Sequence, residues 1–215
     1  MDRKQQVLNT IIESGVIAVI RADRSEELME VAEALVQGGL VALEVTMTTP
    51  GAIDVIKAVV KEMGDKVIMG AGTVLDPETA RAVILAGAEY IVTPTLNPAT
   101  IEMAKRYGKV MISGAFTPTE ILTAWECGSD IVKVFPATAV GPKYLKDIKG
   151  PLPHIRLSPT GGVDLSNAGE FIRCGACCIA VGGNLVPKKA IADRDWATIT
   201  ENARRFVEEV RKARS

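Results

Sequence analysis

The sequence has one histidine, His154, and four cysteines, Cys127, Cys174, Cys177 and Cys178, in 215 residues. A single imidazole excludes a histidine-cluster metal site, and four clustered thiols are too few for a disulfide framework. Cys174-Gly175-Ala176-Cys177 has the C-x-x-C form. It stands where a helix ends and a strand begins, not at a helix N-terminus that would stabilise a thiolate, so ordinary buried thiols are expected. His154 reads as a residue at a strand entrance. No cluster of Asp and Glu at strand ends suggests a magnesium site, and neither metal nor cofactor is expected.

Charge of one sign is also lacking. Lys and Arg number 25 against 26 Asp and Glu, a net charge of −1 scattered along the chain. That leaves no basic footprint for nucleic acid and no polybasic patch for a membrane surface. No apolar run reaches the length of a membrane span, and Met1–Gln6 leads into an amphipathic stretch rather than an apolar signal core. The expected partners are small soluble molecules and the expected location is the cytoplasm.

What the chain does contain is a regular alternation of strand and helix, read as a single domain over residues 1–215. After a preliminary helix from Lys4 to Ser14, strands are expected at Gly15–Arg21, Leu40–Met47, Lys66–Ala71, Glu89–Val92, Lys109–Ser113, Ser129–Pro136, His154–Ser158 and Cys177–Val181. Helices follow each. Ser25-Glu26-Glu27 reads as an N-cap with an acidic first turn before a helix that stops at Gly38-Gly39. Pro50, Asp76-Pro77, Asn97-Pro98, Thr117-Pro118-Thr119-Glu120 and Pro142 open the next five. Leu165–Cys174 is the next, and Trp196–Lys212 the last, with Ile199, Ala203, Phe206 and Val210 on one face.

Eight strands in units of about 27 residues have the period of a (β/α)8 barrel, here with an extra N-terminal helix. A doubly wound sheet would leave the evenness of the repeat unexplained. In such a barrel the chemistry sits at the C-terminal strand ends. Those positions are Arg21, Glu44, Thr73, Thr93 with Pro94, Ser113, Lys133, Thr160 and Gly182.

Among them Lys133 needs a reason, because it sits inside the apolar run Ile131-Val132-Lys133-Val134-Phe135-Pro136. Lysine is almost never fully buried as a passive residue. In apolar surroundings its pKa falls, leaving a neutral amine that can attack a carbonyl. The alternative is a lysine that snorkels to the strand end or pairs with a carboxylate. Glu44, in the apolar strand Ala42-Leu43-Glu44-Val45-Thr46, is the one obvious proton carrier, or else a structural counter-ion for Lys133 or Arg21. Arg21 offers a fork suited to a carboxylate, or is a solvated loop arginine. Gly161-Gly162 after Thr160, and Gly182-Gly183 before Asn184, let backbone N–H groups approach an anion, where barrels of this class commonly hold phosphate. Gly70-Ala71-Gly72-Thr73 brings the Thr73 hydroxyl and bare backbone to a substrate, or is only a tight strand exit.

Taken together these residues are recognisable. Leu43-Glu44-Val45-Thr46, Gly70-Ala71-Gly72-Thr73-Val74, Val92-Thr93-Pro94, Val132-Lys133-Val134-Phe135-Pro136, Gly141-Pro142, Pro159-Thr160-Gly161-Gly162 and Gly182-Gly183 span nearly the whole chain. It closely resembles the class I aldolases of 2-keto-3-deoxy-6-phosphogluconate (KDPG) and their relatives acting on 4-hydroxy-2-oxoglutarate (KHG) and on the phosphogalactonate epimer. The resemblance implies Lys133 as the Schiff-base residue, Glu44 as general acid/base through a bound water, and Thr73 with an arginine on the pyruvate carboxylate. It also implies a phosphate on the two glycine pairs, no cofactor, and a homotrimer. Where some members carry an arginine four residues after the glutamate, this chain has Thr48, which gives the carboxylate to Arg21. Where many have serine after the second glycine pair, it has Asn184, whose amide can still donate. A barrel that binds phosphate without catalysis is the reading from a different class.

Overall fold

Strand side chains divide between two apolar layers because successive residues of a strand point to opposite faces. In the computed structural model, which describes residues 2–21 and 27–215, eight strands carry this alternation. They are β1 (Val16–Ile20), β2 (Ala42–Thr46), β3 (Ile68–Gly72), β4 (Tyr90–Val92), β5 (Val110–Ala115), β6 (Ile131–Val134), β7 (Leu157–Pro159) and β8 (Ile179–Val181). Ile17, Val19, Ala42, Ile68, Tyr90, Val92, Val110, Ile112, Ile131 and Ala180 pack against one another on the inside. Intervening residues such as Ala18, Leu43, Met69, Ile91, Met111 and Val132 pack outward under the helices. All pairings are parallel, in the order β7-β6-β5-β4-β3-β2-β1-β8. Parallel bridges from Leu157 to Ala176 and from Thr160 to Ala180 nearly close the circle.

The helix α1 (Arg3–Ser14) is capped by the Asp2 side chain, which accepts the Gln5 N–H. Its Val7, Leu8 and Ile11 join the inner apolar layer. Lys4 pairs with Asp130 at 2.9 Å just ahead of β6, so the helix plugs the N-terminal end and leaves only the C-terminal end open. Arg214 fastens that plug, donating to the carbonyls of Ile12, Glu13 and Cys177.

The outer helices are α2 (Leu28–Gln37), α3 (Ala52–Met63), α4 (Pro77–Leu85), α5 (Pro98–Arg106), α6 (Pro118–Glu126), α7 (Gly141–Lys149), α8 (Ala168–Arg173), α9 (Lys188–Ala192) and α10 (Trp196–Arg214). The proline-led starts hold at α4, α5, α6 and α7; at the first three Asp76, Asn97 and Thr117 cap, and Thr117 with Glu120 forms a full capping box. On α10, Ile199, Ala203, Phe206 and Val210 are the buried face, as the spacing predicts. The Ser25-Glu26 cap lies outside the described residues.

Several boundaries differ from the sequence reading. Strand β7 begins at Leu157, not His154, since the chain ahead of it is still turning, the Ile155 N–H donating to the Leu152 carbonyl at 3.3 Å; His154 is exposed and meets the Trp125 ring edge-on at 6.0 Å. Helix α8 starts at Ala168, not Leu165, because the Asp164 carboxylate holds the N–H groups of Ser166 and Asn167 in a turn. The short α9 after β8 was not expected, and neither was the 3-10 turn Ala137–Ala139 after β6. All four thiols are free, but only Cys178 is buried; Cys127, Cys174 and Cys177 are half-buried. No described helix is long and apolar enough to cross a membrane.

Candidate active site

Lys133 shares the inward face of β6 with Ile131, and Glu44 that of β2 with Ala42. Each is the third residue of its strand, so both lie below the rim rather than at the strand end. Glu44 is 1% exposed and Lys133 5%. Burial is the leading influence on each: it pushes the Glu44 carboxyl above its ordinary range, against the pull of Lys133 and then Arg21. It pushes the Lys133 amine below its ordinary range, with Glu44 opposing and Arg21 reinforcing. Both shifts favour the neutral forms. A buried amine and a buried carboxyl that feel each other can provide a nucleophile and a proton carrier in one water-poor site.

The space for the carboxyl comes from Gly72 on β3. A Cβ there would stand 1.8 Å from Glu44 Oε1 and 2.5 Å from its Cδ. Gly72→Ala must therefore displace the carboxyl. The expected result is a destabilisation of about 1–3 kcal/mol and a loss of turnover of about 100-fold. Calorimetry and steady-state kinetics check the two halves. The next residue, Thr73, has φ 57, a left-handed conformation that is a genuine outlier for a β-branched side chain. Strain of that kind persists where surrounding structure holds it and clusters at functional sites.

Above the pair opens a cavity of about 220 Å³, walled in part by Arg21, Thr160, Gly161, Gly162, Gly182, Gly183 and Asn184. Seven of the predicted binding residues thus meet around one space. Gly161 and Gly162 have φ 90 and 71, which other residues rarely adopt, and this left-handed pair turns the chain tightly after β7. Asn184 Nδ2 donates to the Val163 carbonyl at 2.9 Å, tying the two glycine loops together. The cavity joins the buried pair through two of its other walls. The Phe135 ring centroid is 4.9 Å from Lys133 Nζ, and Val19 is in register with Glu44.

Thr48, Thr73 and Pro94 stand apart from this cavity wall. Thr48 is exposed, its hydroxyl 2.8 Å from that of Thr46. Pro94 lies against β5: a Cβ on Gly114, the register partner of Lys133, would sit 2.3 Å from the Pro94 carbonyl carbon. Thr93 holds that approach, accepting the Gly114 N–H at 3.0 Å and donating to the Thr95 carbonyl at 2.7 Å. Ser113 does not reach the mouth. It falls between inward Ile112 and Gly114, faces the helices, and its N–H donates to Ser129 Oγ at 2.9 Å.

Phe135 was legible only as part of the strand motif, and its role as the wall between amine and cavity follows from the chain's turn after β6. Tyr90, buried beneath the site, carried no signal in the sequence beyond a strand aromatic. Among the described residues, no group of three or more His, Cys, Asp or Glu side chains is disposed to hold a metal ion.

The chain is 35% identical to the 2-dehydro-3-deoxy-phosphogluconate aldolase of Pseudomonas aeruginosa over 211 residues, 97% of this chain and 95% of that one. It is 34% identical to the 2-dehydro-3-deoxy-6-phosphogalactonate aldolase of Escherichia coli K12 over 92% of this chain and 95% of the other. Among solved structures, the KDPG aldolase of Legionella pneumophila, with pyruvate captured as a covalent carbinolamine, superposes with a TM-score of 0.87 at 32% identity, covering 93% and 97% of the two chains. The orotidine 5'-phosphate decarboxylase of Pyrococcus horikoshii, at 19% identity and a TM-score of 0.72 over 91% and 99% of the two chains, shares the fold alone. The family profile for KDPG and KHG aldolases matches residues 7–202, and the chain, an aldehyde-lyase on that footing, belongs to the KDPG and KHG aldolase family.

Proposed function

We propose that this chain cleaves 2-keto-3-deoxy-6-phosphogluconate to pyruvate and glyceraldehyde 3-phosphate, with Lys133 as Schiff-base residue and Glu44 as proton carrier. One observation carries the assignment of roles: among the described residues, the one buried lysine shares its electrostatic environment with a buried carboxyl, and the wall residues Phe135 and Val19 connect the pair to the cavity. The neutral Lys133 amine adds to the C2 ketone, and the carbinolamine takes up a proton and loses water to give the iminium. Glu44, through a water, takes the proton of the C4 hydroxyl. The C3–C4 bond breaks with its electron pair passing into the iminium, and the aldehyde leaves. Protonation of the enamine at C3 and hydrolysis release pyruvate and restore the amine.

Arg21 bears on both Lys133 and Glu44 electrostatically and walls the cavity, which suits it to the substrate carboxylate beside the ketone. Thr73, strained next to the Glu44 berth, is assigned to the same carboxylate. The phosphate is assigned to the glycine pairs at 161–162 and 182–183, with the Thr160 hydroxyl, buried without a partner among the described residues, as a further donor. Asn184 replaces a hydroxyl donor with an amide. The reading includes a homotrimer acting in the cytoplasm; exposed Leu75 and Phe116, after β3 and β5, are apolar surface an interface would cover. Native mass spectrometry is expected to find three copies of the 22.9 kDa chain.

The near-equal identity to the phosphogalactonate relative favours one second reading, the C4 epimer as substrate. Assays with KDPG, its galactonate epimer and 4-hydroxy-2-oxoglutarate, coupled to pyruvate release, decide among them. Fastest turnover of KDPG is expected. A faster epimer would move the assignment there, and equal turnover of the unphosphorylated acid would remove the phosphate site.

A further inference from the structure

Among the polar atoms inside the barrel that have no hydrogen-bond partner among the described residues are Oε2 of Glu44 and the hydroxyl of Tyr90, with the hydroxyls of Ser158 and Thr160 on the β7 side. The Glu44 and Tyr90 side chains are both buried. They lie at one level of three adjacent strands, since Glu44 is in register with Gly70 and Gly70 with Tyr90. A Cβ on Gly70 would fall 2.2 Å from both Cε2 and Cζ of Tyr90. The phenol therefore lies across β3, with its hydroxyl-bearing carbon over Gly70 and directed toward β2. Gly72, two residues on and on the same face, seats the Glu44 carboxyl. One strand thus provides two berths, the ring in the lower and the carboxyl in the upper.

We propose that Tyr90 is a positioning residue for the lyase reaction: from beneath, its hydroxyl holds Oε2 of Glu44 through one water, and sets the carboxyl's orientation and proton affinity. This rests on the reading of Glu44 as the proton carrier. Two unpartnered groups in neighbouring berths of the barrel interior satisfy each other in this way, and otherwise each remains unpaired in low dielectric. The groups facing the carboxyl are Lys133 from β6, Arg21 after β1 and Tyr90 from β4, while Cys178, just ahead of β8, faces the phenol. Burial pushes the phenol well above its ordinary range, so it stays protonated and donates. A donated hydrogen bond stabilises the carboxylate, and its removal raises the Glu44 pKa.

The test is Tyr90→Phe, which keeps the ring and deletes only the hydroxyl. The expected result is a kcat lower by about fivefold with KM within about twofold, and an acid limb of kcat/KM moved up by about half a pH unit. Capture of pyruvate by borohydride should be retained, showing an intact amine and site. In a Glu44→Gln background the same change should have no effect, because the two residues act in series. Parental kcat and acid limb in Tyr90→Phe would overturn the proposal, as would an equal loss in the Glu44→Gln background. Near-parental turnover of Glu44→Gln alone would instead remove the proton-carrier role on which it rests.

Discussion

Lys133→Met is expected to abolish covalent capture of pyruvate by borohydride and to lower turnover by at least about 10³-fold. Methionine matches the length and apolar character of the lysine stem, so the inner layer around Phe135 and Ile131 should keep its packing while the nucleophile is lost. Intact mass after incubation with pyruvate and borohydride reads the first effect, and peptide mapping of the parent should place the adduct on the peptide containing Lys133. An adduct that persists in the variant would move the Schiff base to another lysine. In the parent, imine formation needs the neutral amine, so its rate should rise with pH through the lowered Lys133 pKa and then level off. A profile still climbing through the ordinary lysine range would mean that burial does not set this pKa.

Glu44→Gln should leave imine formation in place and slow turnover by about 10²–10⁴-fold, the usual contribution of a positioned proton carrier. The amide fits the Gly72 berth but cannot accept the C4 hydroxyl proton. Near-parental turnover would take Glu44 out of the chemistry and leave it as a counter-ion.

Together the two substitutions also make a prediction about stability. Burial opposes both charges, so the double variant K133M/E44Q is expected to melt a few degrees above the parent at neutral pH, roughly 3 °C. The sign follows from proton linkage. The native state bears the full penalty of the buried carboxylate above the raised Glu44 pKa, and that of the buried ammonium below the lowered Lys133 pKa. The advantage of the variant should therefore shrink as pH falls through the Glu44 pKa toward the ordinary carboxylate value. It should shrink again as pH rises through the Lys133 pKa toward the ordinary lysine value. Melting curves across that range check it, and a variant less stable than the parent at neutral pH would show that the pair stabilises the fold.

The sequence by itself determined the repeat, and with it the barrel. Short apolar strand runs, proline-led helix starts and glycine stops are local signals, set by backbone geometry and capping within a few residues of one another. It also singled out Lys133 and Glu44, because a charge inside an apolar strand conflicts with the burial that the strand's own pattern demands. What it left open depended on which residues from distant strands share a level. Ser113 was lost to the mouth by a one-residue difference in register, which turns a side chain to the opposite face. The starts of β7 and α8 shifted because the turn at residues 152–155 and the Asp164 turn compete with the pattern locally. The two berths on β3 were invisible for a different reason. A glycine in sequence says only that something is missing, and only the packed barrel decides that the Glu44 carboxyl occupies the space at Gly72 and the Tyr90 ring the space at Gly70.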